Sequence, residues 1–298
     1  MGGNNMKEIS TLTHSYESAF SPDDQFIAMV TTSKVNIYKT MDFSLYHSIP
    51  LRNPGFIQFL ANSNLICITN TSGTLYLYNM KTMVMVKRLV SAKNRKFYES
   101  DCILHNEQLY KLANVKGENT LLAYDLRSNS FKECLKFDGY YANMLQHVPS
   151  KHEILILNVD GKYGEKEQLI IYNYETLEKR IWGFQEEASD YTLNLYTYKE
   201  EIYGYSMGTV VKMKGLNEKV LIVDQEVFNV QDSMITDIQF SEIHGLRVIV
   251  TTSKVYITDI NFQVIQEIEI ELGNHAKFNH AEDLLILGSW SKNKIFKI

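Results

Sequence analysis

The chain has 298 residues, 45% hydrophobic and 22% charged, with a formal net charge of -5 at pH 7. These proportions fit a soluble globular protein with a substantial core, and the acidic balance argues against a nucleic-acid partner, which calls for a basic face. No apolar run approaches the ~18 residues of a membrane span, and the cysteines Cys67, Cys102 and Cys134, with no Cys-x-x-Cys pair, read as reduced, buried thiols of a cytoplasmic protein.

The N-terminal MGGNNMKEIS has no apolar centre and no cleavage site, so it does not read as a secretory leader. Its first five residues read as a disordered or vector-derived end, and KEISTLTH (7–14) as a strand. From AFSPDDQFIAMV (19–30) onward one phrase recurs: an apolar residue, then six positions later the first apolar residue of a short hydrophobic run. The pairs are Phe20/Phe26, Phe59/Leu65, Ile103/Leu109, Val148/Ile154, Tyr196/Ile202, Phe240/Leu246 and Phe278/Leu284. Successive first members are 39, 44, 45, 48, 44 and 38 residues apart. Periods of that size built from short strands mark a β-propeller, in which each repeat is one sheet.

The second repeat shows the grammar. FIQFLA (56–61) alternates as an inner strand, LICIT (65–69) is apolar throughout, TLYLYN (74–79) follows a turn, and MVMVKRLV (83–90) makes a fourth strand. A helix over 83–97 fits locally, but the register of the neighbouring repeats overrides it. The third strand carries its own phrase: VNIYK (35–39), LYLYN (75–79), LLAYD (121–125), LIIYN (169–173), VVKMK (210–214), VYITD (255–259) and KIFKI (294–298). Tyr38, Tyr78, Tyr124 and Tyr172 precede its closing polar residue, where an aromatic ring packs on the next sheet.

That phrase is similar to the end of a WD-repeat unit with Tyr in place of Trp, and AFSPDDQFIAMV resembles the opening strand pair of such a unit. The chain thus resembles the WD-repeat β-propeller superfamily over nearly its whole length. It departs from the pattern in having no Gly-His at the repeat starts and no Trp-Asp at their ends, so the family's hydrogen-bonded tetrad transfers to no residue here. The expected fold is all-β: one domain over residues 1–298, a seven-bladed propeller of four-stranded antiparallel blades. Only 20 residues follow Phe278, so residues 7–14 are expected to complete the last blade as its outer strand.

Function is sought in the loops, because the strands hold shape. The long ones are 91–100, 114–120, 158–168 and 183–191. The third of these presents Asp160, Lys162, Tyr163, Glu165, Lys166 and Glu167, either as a solvated hairpin or as a binding finger. An aromatic and basic set, Arg95, Phe97, Tyr98, Tyr140, Tyr141, Tyr191 and Trp290, falls on predicted loops and has the composition of an interface. Packing at the blade ends is the plainer account of each.

Near the starts of three consecutive inner strands stand Asp237, His275 and Glu17, two carboxylates and an imidazole that could hold a divalent metal in a propeller hydrolase or lactonase. Channel-lining polarity is the plainer reading. His105, His152, His244 and His280 fall in or beside first hairpin turns and read as solvated and far apart. No phosphate loop, HExxH or GxSxG stretch is present. The expectation is a non-catalytic, cytoplasmic interaction scaffold for a protein partner, needing no cofactor, no nucleic acid and no membrane insertion. The alternative is a metal-dependent small-molecule hydrolase or ligand sensor working at the channel mouth.

Overall fold

The computed structural model describes residues 6–61, 63–139, 141–160, 166–191, 195–199, 201–216, 219–231 and 233–298. They hold twenty-eight strands, one four-residue helix and one 3-10 turn. The strands group into five sheets of four and one sheet of eight. Each of the seven sequence pairs brackets the first hairpin of a four-strand unit, as Phe20 ends Glu17–Phe20 and Phe26 opens Phe26–Val30. The first unit continues with Lys34–Lys39 and Leu45–Pro50. The second unit is Pro54–Phe59, Leu65–Asn70, Leu75–Asn79 and Met85–Leu89, and the third is Arg95–His105, Gln108–Val115, Glu118–Asp125 and Ser130–Phe137.

The eight-stranded sheet joins two such units. Their outer strands, Lys179–Phe184 and Val220–Asn229, pair in parallel at Gly183/Val220 and Phe184/Leu221. Backbone bonds from Gly183 N to Lys219 O (2.8 Å) and from Gln185 N to Leu221 O (2.9 Å) reinforce the seam. The join satisfies two outer edges that would otherwise stay open.

The chain falls into two compact units, one of Met1–Asn62, Tyr205–Val210 and Glu226–Ile298, the other of Ser63–Gly204 and Val211–Gln225. In the first, Lys7–Thr13 pairs antiparallel with Lys292–Lys297, from Lys7/Lys297 to Thr13/Lys292 with a bulge after Glu8. That sheet runs outward from Gly273–Phe278 through Leu284–Ser289 and Lys292–Lys297 to the N-terminal strand. Phe20, Ile27, Met29 and Tyr38 of the first sheet pack on Ile286 and Ile295 of the last. Met6, Val250, Val255, Ile257, Leu285, Leu287 and Phe296 form a neighbouring core. Each buried aliphatic side chain of this kind contributes about 1.5–3 kcal/mol.

In the second unit Tyr110, Leu112, Leu121, Ala142, Ile154, Ile156, Ile170 and Tyr172 make one cluster. Tyr38, Tyr78, Tyr124 and Tyr172 are all buried, as the third-strand phrase requires.

Two predicted loops prove to be strands. Residues 114–120 shrink to a turn at Lys116 (φ 56°) and Gly117 (φ 95°), with Asn114 and Asn119 paired across it. Two successive positive φ values suit a tight hairpin, so the polar letters NVKGENT concealed strand ends. Residues 95–100 open the eleven-residue strand Arg95–His105 rather than ending a loop. The turn before it is closed by the Ala92/Arg95 bridge. Within 183–191, the strand ends at Phe184, and the helix Glu186–Ser189 buries Ala188 in a core of its own unit. The tip of the 158–168 hairpin, including Lys162 and Tyr163, and residues 1–5 lie outside the described residues.

Candidate functional site

The inner strands Glu17–Phe20, Ile235–Ser241 and Gly273–Phe278 carry the polar residues singled out by sequence. Asp237 Oδ2 accepts the Ala276 N–H at 2.8 Å, and Gln239 Nε2 donates to both carboxylate oxygens at 3.2 and 3.3 Å. Burial pushes the Asp237 pKa up to about 6 against the opposing charge of Lys277. Lys277 Nζ stands 3.9 Å from Glu17 Oε1, and that oxygen also accepts the Ser18 N–H at 3.0 Å. A positive charge therefore already serves the two carboxylates.

His275 faces a different way. Its Nε2 lies 2.8 Å from Ser18 Oγ and its Nδ1 2.7 Å from Asn274 Oδ1. An amide oxygen only accepts, so Nδ1 carries the proton and Nε2 accepts from the Ser18 hydroxyl. Burial, helped by the Lys277 charge, lowers the His275 pKa to about 3, which keeps the ring neutral. Gly288 pairs with His275 in the sheet, and a Cβ there would stand 2.0 Å from the ring's Cε1. The imidazole can lie against the neighbouring strand only because residue 288 has no side chain. Asn274 Nδ2 also donates to Ser15 O at 3.1 Å.

The trio of Glu17, Asp237 and His275 thus sits on adjoining strands, but the imidazole is committed to Ser18 and Asn274. Among the described residues no three His, Cys, Asp or Glu side chains are placed to hold a metal ion together.

The aromatic and basic set disperses. The Arg95 guanidinium covers the Phe131 ring at 4.1 Å and Phe97 at 5.5 Å, and burial lowers its pKa. Tyr98 donates its hydroxyl to Asn119 Oδ1 at 2.5 Å. Burial raises the Tyr98 pKa. Tyr191 packs beside Leu157, Val211 and Met213. Trp290 is exposed and rests on Tyr16, ring centroids 4.9 Å apart. Tyr140 lies outside the described residues, as does the Tyr141 side chain. Among the described members of this set only Trp290 has the exposure of a contact residue.

Two of the four turn histidines correct the sequence reading, while His244 and His280 are exposed as expected. His105 and His152 are neighbours, ring centroids 6.2 Å apart, and both meet Tyr174, at 4.8 and 5.6 Å. Consecutive sheets bring equivalent turns side by side, so turn positions 47 residues apart in sequence can touch. His280 is held by Asp24, whose Oδ1 takes both its N–H and Nδ1.

Sequence reasoning missed a set of buried asparagines that tie sheets to the backbone of the segments beside them. Asn119 Nδ2 donates to Gly139 O at 3.0 Å, and Asn158 Nδ2 to Asp138 O at 2.8 Å. Asn293 Nδ2 reaches Thr13 O at 2.5 Å and Ser15 Oγ at 2.9 Å. Asn119 and Asn293 are each the second residue of a third strand. That shared position was the available signal.

Also missed were three exposed apolar residues, Met207, Met234 and Leu272, which join the already singled-out Trp290 in a row in the first compact unit. Met207 and Trp290 sit in turns between second and third strands, Met234 and Leu272 just before inner strands. Backbone bonds link their segments in turn: Ile235 N to Met207 O (2.5 Å), Thr252 N to Met234 O (3.2 Å), Gly273 N to Thr252 O (3.2 Å) and Trp290 N to Leu272 O (3.2 Å). Beside Leu272 lies a groove of about 740 Å³ lined by Thr252, Ser253, Ile270, Ser289 and Lys292, among others.

Seven four-stranded units, the last completed by the N-terminal strand, define a seven-bladed β-propeller. The structure is similar to the β-propeller domain of Myceliophteria thermophila Cps50 (Swd1), with a TM-score of 0.76 and 12% sequence identity over 99% of this chain and 100% of that one. In all, 1464 solved chains match, a breadth that marks a widely used fold and points to no single activity. No family model and no curated protein matches the sequence. Among the described residues no helix is long and apolar enough to cross a membrane.

Proposed function

We propose that the chain is a non-catalytic interaction platform: a single propeller domain that presents one face to a protein partner within an intracellular assembly. The observation that carries this reading is the exposed row Met207, Met234, Leu272 and Trp290. Loops and turns free of shape-holding duty are where propellers place function, and adjoining exposed apolar side chains mark contact surfaces. A fold shared with the Cps50 (Swd1) propeller domain is consistent with this use.

The test is co-purification of the tagged chain with and without Leu272→Asp and Trp290→Asp. The reading expects a stoichiometric protein partner that the double variant loses while its melting temperature stays within a few degrees of the original. A partner retained in full by the double variant would remove this face from the account.

A second reading, a metal-dependent hydrolase or sensor using Glu17, Asp237 and His275, draws on the raised pKa of buried Asp237. It is the less supported one, because both His275 nitrogens are hydrogen-bonded and the Lys277 ammonium already stands against the Glu17 carboxylate. Metal analysis of the purified protein separates the two readings, a stoichiometric divalent ion favouring the second.

A further inference from the structure

The outer strands Lys179–Phe184 and Val220–Asn229 pair at Gly183/Val220 and Phe184/Leu221. On the Arg180 side of that seam a cavity of about 440 Å³ opens, lined wholly by residues of the second compact unit. Its volume falls in the range of small-molecule sites.

One sheet face builds the larger wall. Leu169 stands opposite Trp182 in the ladder, Ile171 opposite Arg180, and Leu155 opposite Ile171. Directly opposed residues share a face, so three aliphatic side chains and the indole line one side, with Arg180 beside them. Ile202, on the strand Glu201–Ser206, lines the cavity from the adjoining four-strand unit. Leu155, Leu169 and Ile171 are buried together with Leu221, and Trp182 and Ile202 pack against them. The benzene edge of the indole lies on the backbone of Gly215, where a Cβ would stand 2.9 Å from Cζ3. Its Nε1, on the other side of the ring, is buried with no hydrogen-bond partner. A buried donor in that state is costly and calls for an acceptor.

The rim is charged. Glu153 Oε1 accepts from Arg180 Nη2 at 2.5 Å. Glu201 is held by the Lys212 ammonium and by the Tyr203 hydroxyl, the latter at 2.5 Å. Lys151 and Lys199 stand on the same rim. Among the described residues, two carboxylates thus meet four cationic side chains, and the surplus is positive.

We propose that this cavity binds a medium-chain alkyl carboxylate, its chain laid on the aliphatic wall and its carboxylate held between the Trp182 N–H and the cationic rim. An alkyl chain matches Leu155, Leu169, Ile171 and Ile202, which offer apolar surface and no hydrogen bonds. A carboxylate supplies both the acceptor that the indole lacks and the negative charge that the rim lacks. An alkylamine would meet the same wall but would add to the positive surplus and bring no acceptor. The cavity and the exposed row of Met207, Met234, Leu272 and Trp290 belong to different compact units, so the two sites are tested separately.

The chain holds two tryptophans, Trp182 and Trp290, so an isotope-labelled Trp290→Phe protein shows one indole N–H resonance. Sodium octanoate should move that resonance downfield, as a new hydrogen bond does, and saturate with a dissociation constant of about 0.1–1 mM. Octanol, with the same chain and no charge, should bind about fivefold more weakly. Lys151 and Lys199 are exposed, so substituting them leaves the packing intact. Lys151→Gln with Lys199→Gln should weaken octanoate about fivefold and leave octanol unchanged, while Lys151→Arg with Lys199→Arg should keep the original affinity. An indole resonance unmoved at about 5 mM octanoate, equal affinity for octanol, or full affinity in the glutamine variant would each overturn the proposal.

Discussion

Ser18 Oγ donates to His275 Nε2 at 2.8 Å, tying the inner strand that opens the first sheet to the inner strand of the last. Both side chains are buried, so neither has water as an alternative partner. The bond sits beside the pairing of Lys7–Thr13 with Lys292–Lys297 and the Asn293 contacts to Thr13 and Ser15. Chain start and chain end are thus joined by a backbone ladder and by a buried polar weld.

Ser18→Ala removes the donor and leaves the imidazole nitrogen unsatisfied, at a cost of about 1–3 kcal/mol. Gly288→Ala drives a methyl into the ring at 2.0 Å and breaks the same contact by overpacking, at about 1–3 kcal/mol or more. Because both act on one imidazole, the double variant should lose less than the sum of the singles. Denaturant titration of the three variants checks this. Strict additivity would mean that the two substitutions act on unrelated contacts.

Stability against pH carries opposing contributions from His275 and Asp237. The lowered His275 pKa, about 3 against 6.5, contributes stability that is lost as pH falls from 6.5 towards 3. The raised Asp237 pKa, about 6 against 3.8, contributes stability that is present in acid and lost as pH rises from 3.8 to 6. Between 3.8 and 6 the two slopes cancel. Asp237→Asn removes one of them, so the variant should lose stability with falling pH on a slope steeper by one proton, about 1.4 kcal/mol per pH unit, across that window. Chemical denaturation at several pH values measures the slope, and equal slopes in both proteins would contradict the assignment.

Deleting residues 6–14 exposes the edge of Lys292–Lys297 and removes Met6 and Leu12 from their cores. The expected cost is about 3–5 kcal/mol. The loss should also reach Gly273–Phe278 and Glu17–Phe20, which depend on the same weld. Hydrogen exchange reads this directly: protection should drop on those inner strands as well as on the exposed edge. Loss limited to Lys292–Lys297 would show that the N-terminal strand is an appendage.

The fold was legible because every sheet must open with an apolar strand, a short turn and a second apolar strand. The Phe59/Leu65 and Phe278/Leu284 pairs therefore fell on real hairpins. The closing strand was legible from arithmetic on the two ends. The weld was not, because Ser18 and Asn274 are small polar residues whose letters look like turn chemistry, and their value lies in one imidazole 257 residues from Ser18. The approach of His105 to His152 escaped for the same reason: it is made by neighbouring sheets, and sequence distance hides it. The exposed row was concealed because Met234 and Leu272, read alone, look like the first residues of buried strands.

Site-specific photo-crosslinking in cells tests the interaction platform most directly. A photoreactive residue at Leu272 or Trp290 reports on the exposed row, and one at Met41, also highly exposed but in the turn between the third and outer strands of the first sheet, is the control. The account predicts one discrete protein adduct at Leu272 and Trp290 and none at Met41. Adducts of equal yield at all three positions, or at Met41 alone, would contradict it.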